Sequence, residues 1–499
     1  MKKTNNFYIT TAIDYPSGKP HIGHAYEKIL ADTIARWQRQ KAKEVFFLTG
    51  TDEHGQKIEK YAKEAGKSCE EFVEEMTAEF LKLCQALNIS NDDFIRTTQD
   101  RHIKAALAIL QKAIEKGDIY KDKYEGYYCI DCESFYLERD LPEGNCPVHG
   151  KKADWIEEEG YFFKMSKYQT RVLDHIVKQE EFIKPKSRRN EIINRIKGGV
   201  RDLSISRANF KWGIPFPQDP DHVIFVWFDA LINYLSGVGY PKSERFKKFW
   251  PADIHLIGKD ILWFHAMVWP AILMAADIEL PKSIFVHGFI NLSGEKISKS
   301  KGVHIDLGEL IQKYGADSLR YFLLREVSFG EDGNFSETAL IRRINSDLAN
   351  DLGNLVYRSL AMIDKYFQGK IPQSFHKTLG LDLMDLNKEL KQKVNEQMKD
   401  YNFSLALAKI WEVINAANKF IEETKPWVLF KENKKKELND FIFVLVCVIN
   451  NVAVNIDCFM PETAAKIKNQ FGQTQIKKDK PLFPRIEKIE DIEDCENVD

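Results

Sequence analysis

The sequence of 499 residues lacks a strong net charge, and it has no apolar run as long as a membrane-spanning helix needs. Lysine and arginine nearly balance aspartate and glutamate, which leaves a net charge of -2. A nucleic-acid partner must therefore be met by a local basic face. The N-terminal MKKTNNFYIT has no run of the kind that a secretory signal requires. Near the C-terminus, FIFVLVCVINNVAV is too short to span a bilayer and predicts a buried helix. We expect a cytoplasmic protein without a membrane partner.

Strand, loop and helix signals follow one another near the N-terminus. The stretch FYITTAIDYP is β-branched and aromatic, as buried strands are, and YPSGKP predicts a loop. In KPHIGHAYEKILADTIARWQRQ, apolar residues recur at helical spacing, with charged residues between them. This order is typical of an α/β sheet, where it aims the helix N-terminus at a crevice that attracts anions. The chain is too long for one core, so about two to four domains are expected.

Two histidines, His21 and His24, surround Gly23 at the predicted helix start. Their imidazoles can donate hydrogen bonds to charge that develops on a phosphoryl oxygen, and the glycine removes a side chain from the path of a ligand. The alternative is a pair of capping or solvent-facing histidines, because a short HxxH pattern is not specific.

A second candidate site lies in FVHGFINLSGEKISKSKG, where a strand-like segment runs into a loop with Lys296, Lys299 and Lys301. Lysines on a mobile loop can close over a polyphosphate and neutralise a pyrophosphate leaving group. The alternative is a solvated charge run.

Four potential metal ligands fall in YYCIDCESFYLERDLPEGNCPVHG: Cys129, Cys132, Cys146 and His149. Two pairs of soft or borderline ligands suit tetrahedral zinc, and a full set of four leaves no position for water, so the predicted zinc site is structural. Thiols without metal and a disulfide are the alternatives.

HIGH and KISKS together resemble the two signature motifs of class I aminoacyl-tRNA synthetases, with Ile297 in place of the usual methionine of the second. The segments TAIDYPSGKPHIGH, TGTDEHGQKI, SISRANFKWGIPFP, VWFDALINYLS and IGKDILWFHAMVWPAIL resemble the methionyl-tRNA synthetase family in sequence and order, up to about residue 460. The cysteine cluster resembles the single-knuckle zinc insertion of the bacterial short form of that family.

The resemblance implies an α/β fold with a Rossmann-type parallel sheet, which binds nucleotide and carries the zinc insertion. Helical periodicity beyond residue 305 predicts an all-α helix bundle, which by resemblance binds the anticodon. We expect six segments: halves of the catalytic domain at 1–118 and 221–305, the insertion at 119–220, a linker in contact with the tRNA stem at 306–345, the anticodon-binding domain at 346–470 and a tail at 471–499.

The resemblance also assigns site residues. The catalytic groups are His21, His24, Lys296 and Lys299. ATP is assigned to those four together with Gly23, Gly258 and Asp260. Methionine is assigned to Ile13, Tyr15, Asp52, Trp227, Ala230, Leu231, Tyr234, Ile261 and His265, with Asp52 holding the ammonium group.

Several of these assignments have structural alternatives. Trp227, Tyr234 and Trp269 would otherwise be core aromatics, and His265 a buried core histidine. Leu231 stands where the family has proline. In the C-terminal third, Asn354, Arg358 and Trp427 resemble the anticodon-reading residues, and a tryptophan buried in the bundle is the alternative.

The implied activity is ATP-dependent ligation of L-methionine to tRNA(Met), both elongator and initiator, through methionyl-adenylate. Mg²⁺ would accompany ATP, and zinc would be structural. A monomer is expected, because the OB-fold dimerising domain of many relatives is not visible. Two other functions remain open: a tRNA-binding paralogue without catalysis and a small-molecule nucleotidyltransferase.

Overall fold

The computed structural model describes residues 5–129, 134–136, 138, 141–147, 150–292, 295–296, 305–473, 475–478 and 480–487. The chain divides into two compact units, Met1–Phe289 and Ile290–Asp499.

The first unit alternates strands and helices. Its strands and α-helices are, in chain order, β1 (Asn6–Thr11), α1 (Ile22–Gln40), β2 (Glu44–Thr51), α2 (Gln56–Glu64), α3 (Cys69–Ala86), β3 (Asp93–Arg96), α4 (Asp100–Glu115), β4 (Ile119–Cys129), β5 (Ser134–Tyr136), β6 (Asp154–Phe163), α5 (Gln169–Lys178), β7 (Ile183–Lys184), α6 (Lys186–Lys197), β8 (Leu203–Ser204), β9 (Ser206–Arg207), β10 (Pro215–Phe216), β11 (Asp219–Ile224), α7 (Val226–Ala230), α8 (Asn233–Ser236), α9 (Glu244–Phe249), β12 (Ile254–Gly258), α10 (Trp269–Ala275) and β13 (Ile284–His287).

A parallel sheet forms the centre of this unit, with strand order β3-β2-β1-β12-β13-β7. Every β1 residue after Asn6 is buried, as expected of a strand covered on both faces. The chain builds one side of the sheet from β1 to β3 and returns to the other side with β12, which pairs with β1 in parallel register from Ile9 with Ile254. The predicted α/β class and parallel sheet are confirmed.

Helix α1 begins and ends where the sequence predicts, but three of its charged residues are buried. Glu27 is 8% exposed, and Lys28 and Asp32 are fully buried. The helix is therefore enclosed nearly all round, and these charges must find partners inside the protein.

A second, antiparallel sheet begins at Ile119, the residue where the insertion is predicted to begin. Its strand order is β5-β4-β6-β8, and β4 pairs with β6 from Ile119 with Phe163 to Tyr128 with Asp154. A small sheet of β10, β11 and β9 follows.

The second unit is mainly helical. Its strands and α-helices are β14 (Ile290–Leu292), β15 (Glu295–Lys296), α11 (Leu307–Tyr314), α12 (Ala316–Glu326), β16 (Gly333–Phe335), α13 (Glu337–Arg343), α14 (Asn354–Phe367), α15 (Leu381–Lys399), α16 (Phe403–Thr424), α17 (Pro426–Lys431), α18 (Lys435–Ile456) and α19 (Pro461–Phe471).

Helices α14, α15, α16 and α18 pack together as the predicted bundle. The run FIFVLVCVINNVAV lies inside α18. The helix extends past this run and, at 22 residues, is long enough and apolar enough to cross a membrane, contrary to the expectation from the run alone. Because 67% of its apolar window is buried inside the protein, α18 is a core helix of the bundle, as predicted.

Candidate active site

The carboxyl ends of β1 and β12 lie side by side at the centre of the parallel sheet. Ala12 donates its backbone N–H to the carbonyl of Leu256 at 3.0 Å, directly after β1. The strand order reverses here, and open α/β sheets bind ligands at such a point. The predicted residues Ile13 and Tyr15 follow β1, and Gly258 and Asp260 lie at the end of β12 and just beyond it.

At the start of α1, His21 and His24 cap the helix reciprocally. The backbone N–H of Gly23 donates to Nδ1 of His21 at 3.2 Å, and the N–H of His21 donates to Nδ1 of His24 at 3.0 Å. The two rings lie 3.8 Å apart between centroids. Because both Nδ1 atoms accept, a neutral ring carries its proton on Nε2. The capping alternative is thus present, and it uses the Nδ1 atom of each ring.

Gly23 keeps space for the His21 ring. A Cβ at this position would lie 3.0 Å from Cε1 and 3.1 Å from Nδ1 of His21. Any larger residue must therefore displace the imidazole. The absence of a side chain at Gly23 therefore leaves the room that the His21 ring occupies.

Two charged residues of α1 fasten the loop after β1. Glu27 Oε1 accepts the backbone N–H of Ala12 at 2.7 Å. Lys28 Nζ lies 2.8 Å from Asp14 Oδ2, and both side chains are buried. Burial raises the pKa of Asp14 to about 6, although the neighbouring ammonium opposes the shift. Glu27 and Lys28 were not identified as site residues from the sequence. The available signal was that these two charged residues are adjacent in a helix whose apolar residues recur around them.

Asp52 lies just past the end of β2, and its backbone N–H donates to the carbonyl of Asp14 at 2.8 Å. The structure therefore places Asp52, the residue predicted to bind the ammonium group of methionine, beside the loop after β1. Ile13 and Tyr15 point to different apolar clusters: Ile13 packs on the cluster of Tyr8, and Tyr15 on the cluster of α2 and α3.

Tyr234, His265 and Ile261 come together in one hydrogen-bonded chain. The Tyr234 hydroxyl and His265 Nε2 are 2.6 Å apart, and His265 Nδ1 lies 3.0 Å from the Ile261 carbonyl. A carbonyl only accepts, so Nδ1 carries the proton and the tyrosine donates to Nε2. Burial lowers the pKa of His265 to about 4, so this ring is neutral near pH 7. Leu231 belongs to the same core cluster as Tyr234, and Ala230 is also buried.

His265 lies in a π-helical turn, Phe264–Val268. Such turns are frequent at functional sites. The neighbouring Phe264 stacks on the half-buried Trp227, with centroids 3.7 Å apart and planes 3° apart. Phe264 was not predicted as a site residue. Trp269 is fully buried and donates to His255 Nε2 at 3.3 Å, so the core-packing alternative holds for it.

Gly258 and Asp260 are close enough that a Cβ on the glycine would lie 2.8 Å from Asp260 Oδ1. Asp260 is exposed, whereas Gly258 is buried. The second carboxylate oxygen of Glu27 contacts β13: His287 Nε2 lies 3.4 Å from Glu27 Oε2. Glu27 thereby links α1 to both β1 and β13.

The second signature motif is only partly within the described residues. The predicted strand SIFVHGFI is two strands, β13 and β14, in different units. Lys296 lies in β15, where its backbone pairs with Asn291 of β14. Ile297, Lys299 and Lys301 lie outside the described residues.

Two of the four predicted zinc ligands are described. Cys129 ends β4 and pairs with Ser134 of β5. Cys146 lies in a tight turn, with its N–H bonded to the carbonyl of Lys151. Both cysteines are buried, whereas Cys132 and His149 lie outside the described residues. Within the described part of the chain, no group of three or more potential metal ligands occurs.

In the second unit, Asn354 is the first residue of α14 and Arg358 follows one turn later. Arg358 Nη1 donates to Glu422 Oε1 at 2.5 Å. Trp427 lies five residues after Glu422, on the short helix α17, and is 41% exposed. The buried alternative is therefore wrong for Trp427.

Comparisons with known proteins agree with this architecture. Residues 7–154 and 138–360 match the family described as tRNA synthetases class I (M), and residues 384–497 match the anticodon-binding domain of tRNA ligase. The methionine–tRNA ligase of Caldanaerobacter subterraneus subsp. tengcongensis is 48% identical, over 98% of this chain and 80% of the relative. The chain belongs to the methionine–tRNA ligase family. A family member from Thermotoga maritima is 46% identical, over 92% of this chain and 74% of the relative.

Solved structures of the family extend the agreement to the fold. Mycobacterium tuberculosis methionyl-tRNA synthetase in complex with methionyl-adenylate matches with a TM-score of 0.93 and 42% identity, over 96% of this chain and 100% of that chain. The apo form of the same enzyme matches with a TM-score of 0.86 and 39% identity, over 97% and 99% of the two chains.

Proposed function

We propose that this protein activates L-methionine with ATP and transfers the methionyl group to the 3′-terminal ribose of tRNA(Met). The observation that carries the proposal is the capping pair His21 and His24 at the switch point of the parallel sheet. Membership of the methionine–tRNA ligase family supports it, as does the likeness to a synthetase solved with methionyl-adenylate.

In the first step, a methionine carboxylate oxygen attacks the α-phosphorus of ATP. A new P–O bond forms, the bond from the α-phosphorus to the bridging oxygen breaks, and pyrophosphate leaves. We assign His21 and His24 to the phosphate oxygens through their Nε2–H groups, with Gly23 open to the ligand. Lys296 and Lys299 neutralise the pyrophosphate, while Gly258 and Asp260 contact the adenosine. Positioning and charge neutralisation carry the rate without a covalent nucleophile.

Mg²⁺ enters as part of the ATP complex and offsets phosphate charge. The two histidines direct their N–H donors at the phosphates from the start of α1. Glu27 and Lys28 fix this helix to the loop after β1. This rigid support keeps the histidine rings in place before ATP arrives.

For methionine, Asp52 binds the ammonium group and an apolar wall accepts the side chain. That wall comprises Ile13, Tyr15, Trp227, Ala230, Leu231, Tyr234, Ile261 and His265. A neutral His265 suits a thioether, because its ring then brings no charge to the apolar side chain. Its bond to the Tyr234 hydroxyl fixes the orientation of both groups.

In the second step, the 3′-terminal ribose hydroxyl attacks the carbonyl carbon of the adenylate, and AMP leaves. We assign the anticodon contacts to Asn354, Arg358 and Trp427 in the segment 346–470. An exposed indole beside hydrogen-bonding side chains is what a splayed-out base needs. Elongator and initiator tRNA(Met) share that recognition. A cytoplasmic monomer remains the sequence-based prediction, and light scattering measures its mass directly.

Cys129, Cys132, Cys146 and His149 are proposed to hold a structural zinc. The two described cysteines fit this role, because both are buried, Cys129 ends a strand of the β4–β5 hairpin and Cys146 lies in a tight turn. A filled tetrahedral set would fix the segment between β4 and β6.

The deciding experiment is ATP/pyrophosphate exchange with each of the twenty amino acids offered separately, followed by charging of initiator and elongator tRNA(Met). Exchange confined to methionine and charging of both tRNAs supports the proposal. No exchange by the folded protein identifies the paralogue without catalysis. Exchange with another substrate identifies a different pocket or a nucleotidyltransferase.

A further inference from the structure

A buried carboxylate lies behind the proposed methionine pocket. Asp229 is in α7, between Trp227 and Ala230, and is 1% exposed. His54 Nδ1 lies 2.7 Å from Asp229 Oδ2, and His102 Nε2 lies 2.7 Å from Asp229 Oδ1. A carboxylate only accepts, so both imidazoles donate to it. Both oxygens are occupied by protein, and Asp229 has no free face for a substrate.

His54 links this carboxylate to the loop after β2. It lies two residues beyond Asp52, the proposed ammonium ligand, and directly before Gly55, which caps α2. Its ring packs on Trp212 with centroids 5.7 Å apart, and the Trp212 indole N–H donates to the Glu53 carbonyl at 2.5 Å. The loop is therefore held from two sides, by Trp212 and by Asp229.

His102 links the same carboxylate to α4 and α8. It is fully buried near the start of α4, and its Nδ1 lies 2.9 Å from the Ser236 hydroxyl of α8. The three side chains therefore join α7, α8, α4 and the β2 loop. Burial alone would raise the pKa of Asp229, but the two histidines lower it to about 2, so the carboxylate is ionised near pH 7.

We propose that Asp229 is a positioning residue for methionine: through His54 it holds the loop of Asp52 at a fixed distance from the α7 wall of Trp227, Ala230 and Leu231. The ammonium contact and the side-chain wall are then set by one buried carboxylate. This inference rests on the proposed methionine pocket. It predicts that loss of the Asp229 carboxylate weakens the binding of methionine. It predicts no change in the binding of ATP, because the residues proposed to bind the phosphates lie at the start of α1.

The first test is Asp229→Asn, which keeps the size of the side chain and removes its charge. We expect the Kd of L-methionine, measured by calorimetry without ATP, and the KM of methionine in exchange to rise by about tenfold or more. The KM of ATP stays within about twofold of the unmodified protein, a split that general loss of structure would not produce.

The matched control is Asp118→Asn. Asp118 is also fully buried and accepts from two side chains, Lys167 and Tyr168. It follows the far end of α4 from His102, and the helix axis from His102 to Glu115 is roughly 20 Å long at about 1.5 Å per residue. Its KM values for methionine and ATP should both remain unchanged.

A double-variant cycle locates the effect in the bond between His54 and Asp229. His54→Phe keeps a ring against Trp212 and removes the donor. If the bond positions methionine, the double variant with Asp229→Asn binds methionine no more weakly than Asp229→Asn alone. Should Asp229→Asn not fold, His54→Phe alone must raise the Kd of methionine by about tenfold.

An unchanged methionine Kd in folded Asp229→Asn or His54→Phe overturns the positioning role, as do additive effects in the double variant. Equal rises in the KM of methionine and ATP also overturn it. Methionine-dependent exchange by the unmodified protein and by Asp118→Asn reports separately on the proposed function, so the two proposals can fail independently.

Discussion

The backbone N–H of His21 donates a hydrogen bond to Nδ1 of His24 at 3.0 Å, while Nδ1 of His21 accepts from the backbone N–H of Gly23 in the first turn of the same helix. Nδ1 of each ring stabilises the N-terminus of α1, and a neutral ring carries its proton on the other nitrogen, Nε2. A single short motif thus performs a structural and a proposed catalytic task with different atoms. The two tasks can be separated by substitution.

His21→Asn and His24→Gln should keep the caps and lose catalysis. Asparagine is a good N-cap, and glutamine at the third helical position can reach back to the cap N–H. Stability to urea should change by less than about 1 kcal/mol. Neither amide supplies the Nε2–H donor at the same place, so we expect methionine-dependent exchange to fall by about 100-fold.

His21→Ala is the comparison for the capping task. It removes both functions, so it should lose about 1 kcal/mol of stability in addition to the same loss of exchange. Full exchange activity in His21→Asn would show that the histidine pair only caps the helix.

Gly23→Ala isolates the position of the His21 ring. The new Cβ would lie 3.0 Å from Cε1 of His21, so the ring must shift by a few tenths of an ångström. Alanine favours helix by about 1 kcal/mol over glycine, so the unfolding midpoint should not fall. We expect exchange to drop by about tenfold, because small displacements of positioned groups are costly. Exchange equal to that of the unmodified protein would show that the ring tolerates the shift.

The framework of the site was predictable because its signals are local. The strand residues of β1, the loop and the start of α1 follow one another in the sequence, and each has its own residue pattern. The two-histidine start predicted two alternatives: the helix caps, which the structure shows, and the phosphate site, which stays a prediction. Helix α18 was predictable from its apolar run, but its full length was not.

The contacts that support the site were not predictable because they join distant segments. Asp229 and His54 are 175 residues apart, and no periodic pattern marks either as a hydrogen-bonding partner. The same holds for Glu27 and His287, which are 260 residues apart. Stacking of Phe264 on Trp227 likewise depends on a π-helical turn, which hydrophobic periodicity does not reveal.

His265 should make the protein less stable in acid. Burial lowers its pKa from 6.5 to about 4, so the unfolded chain binds more protons between these values. This contribution is fully present above pH 6.5 and is lost as the pH falls toward 4. We expect the contribution of His265 to the free energy of unfolding in urea to be about 2 kcal/mol smaller at pH 4.5 than at pH 7.

His265→Gln provides the reference for that measurement. Glutamine does not titrate and can still bond the Tyr234 hydroxyl, so the difference in unfolding free energy between the two proteins should change across this pH range. Parallel pH profiles for the two proteins would contradict the neutral, buried state of the histidine.

Zinc content tests the cysteine assignments independently of activity. The purified protein should hold about one zinc per chain by elemental analysis, and Cys129→Ser or Cys146→Ser should hold much less. Cys84→Ser is the control, because Cys84 is a buried thiol of α3 whose pKa burial raises to about 12. Equal zinc in Cys129→Ser and Cys84→Ser would refute the proposed ligand set.

Trp427→Ala separates tRNA recognition from amino-acid activation. Exchange needs no tRNA and should be unchanged, whereas the KM of tRNA(Met) in charging should rise by about tenfold or more through loss of base stacking. Leu405→Ala is the control, since Leu405 is an exposed apolar residue of α16 at 53% exposure. A tRNA(Met) with an altered anticodon should be a poor substrate for the unmodified protein and be affected little further by Trp427→Ala, because the contact is already lost. If Trp427→Ala and Leu405→Ala charge tRNA(Met) alike, the exposed indole does not read the anticodon and its exposure must serve another contact.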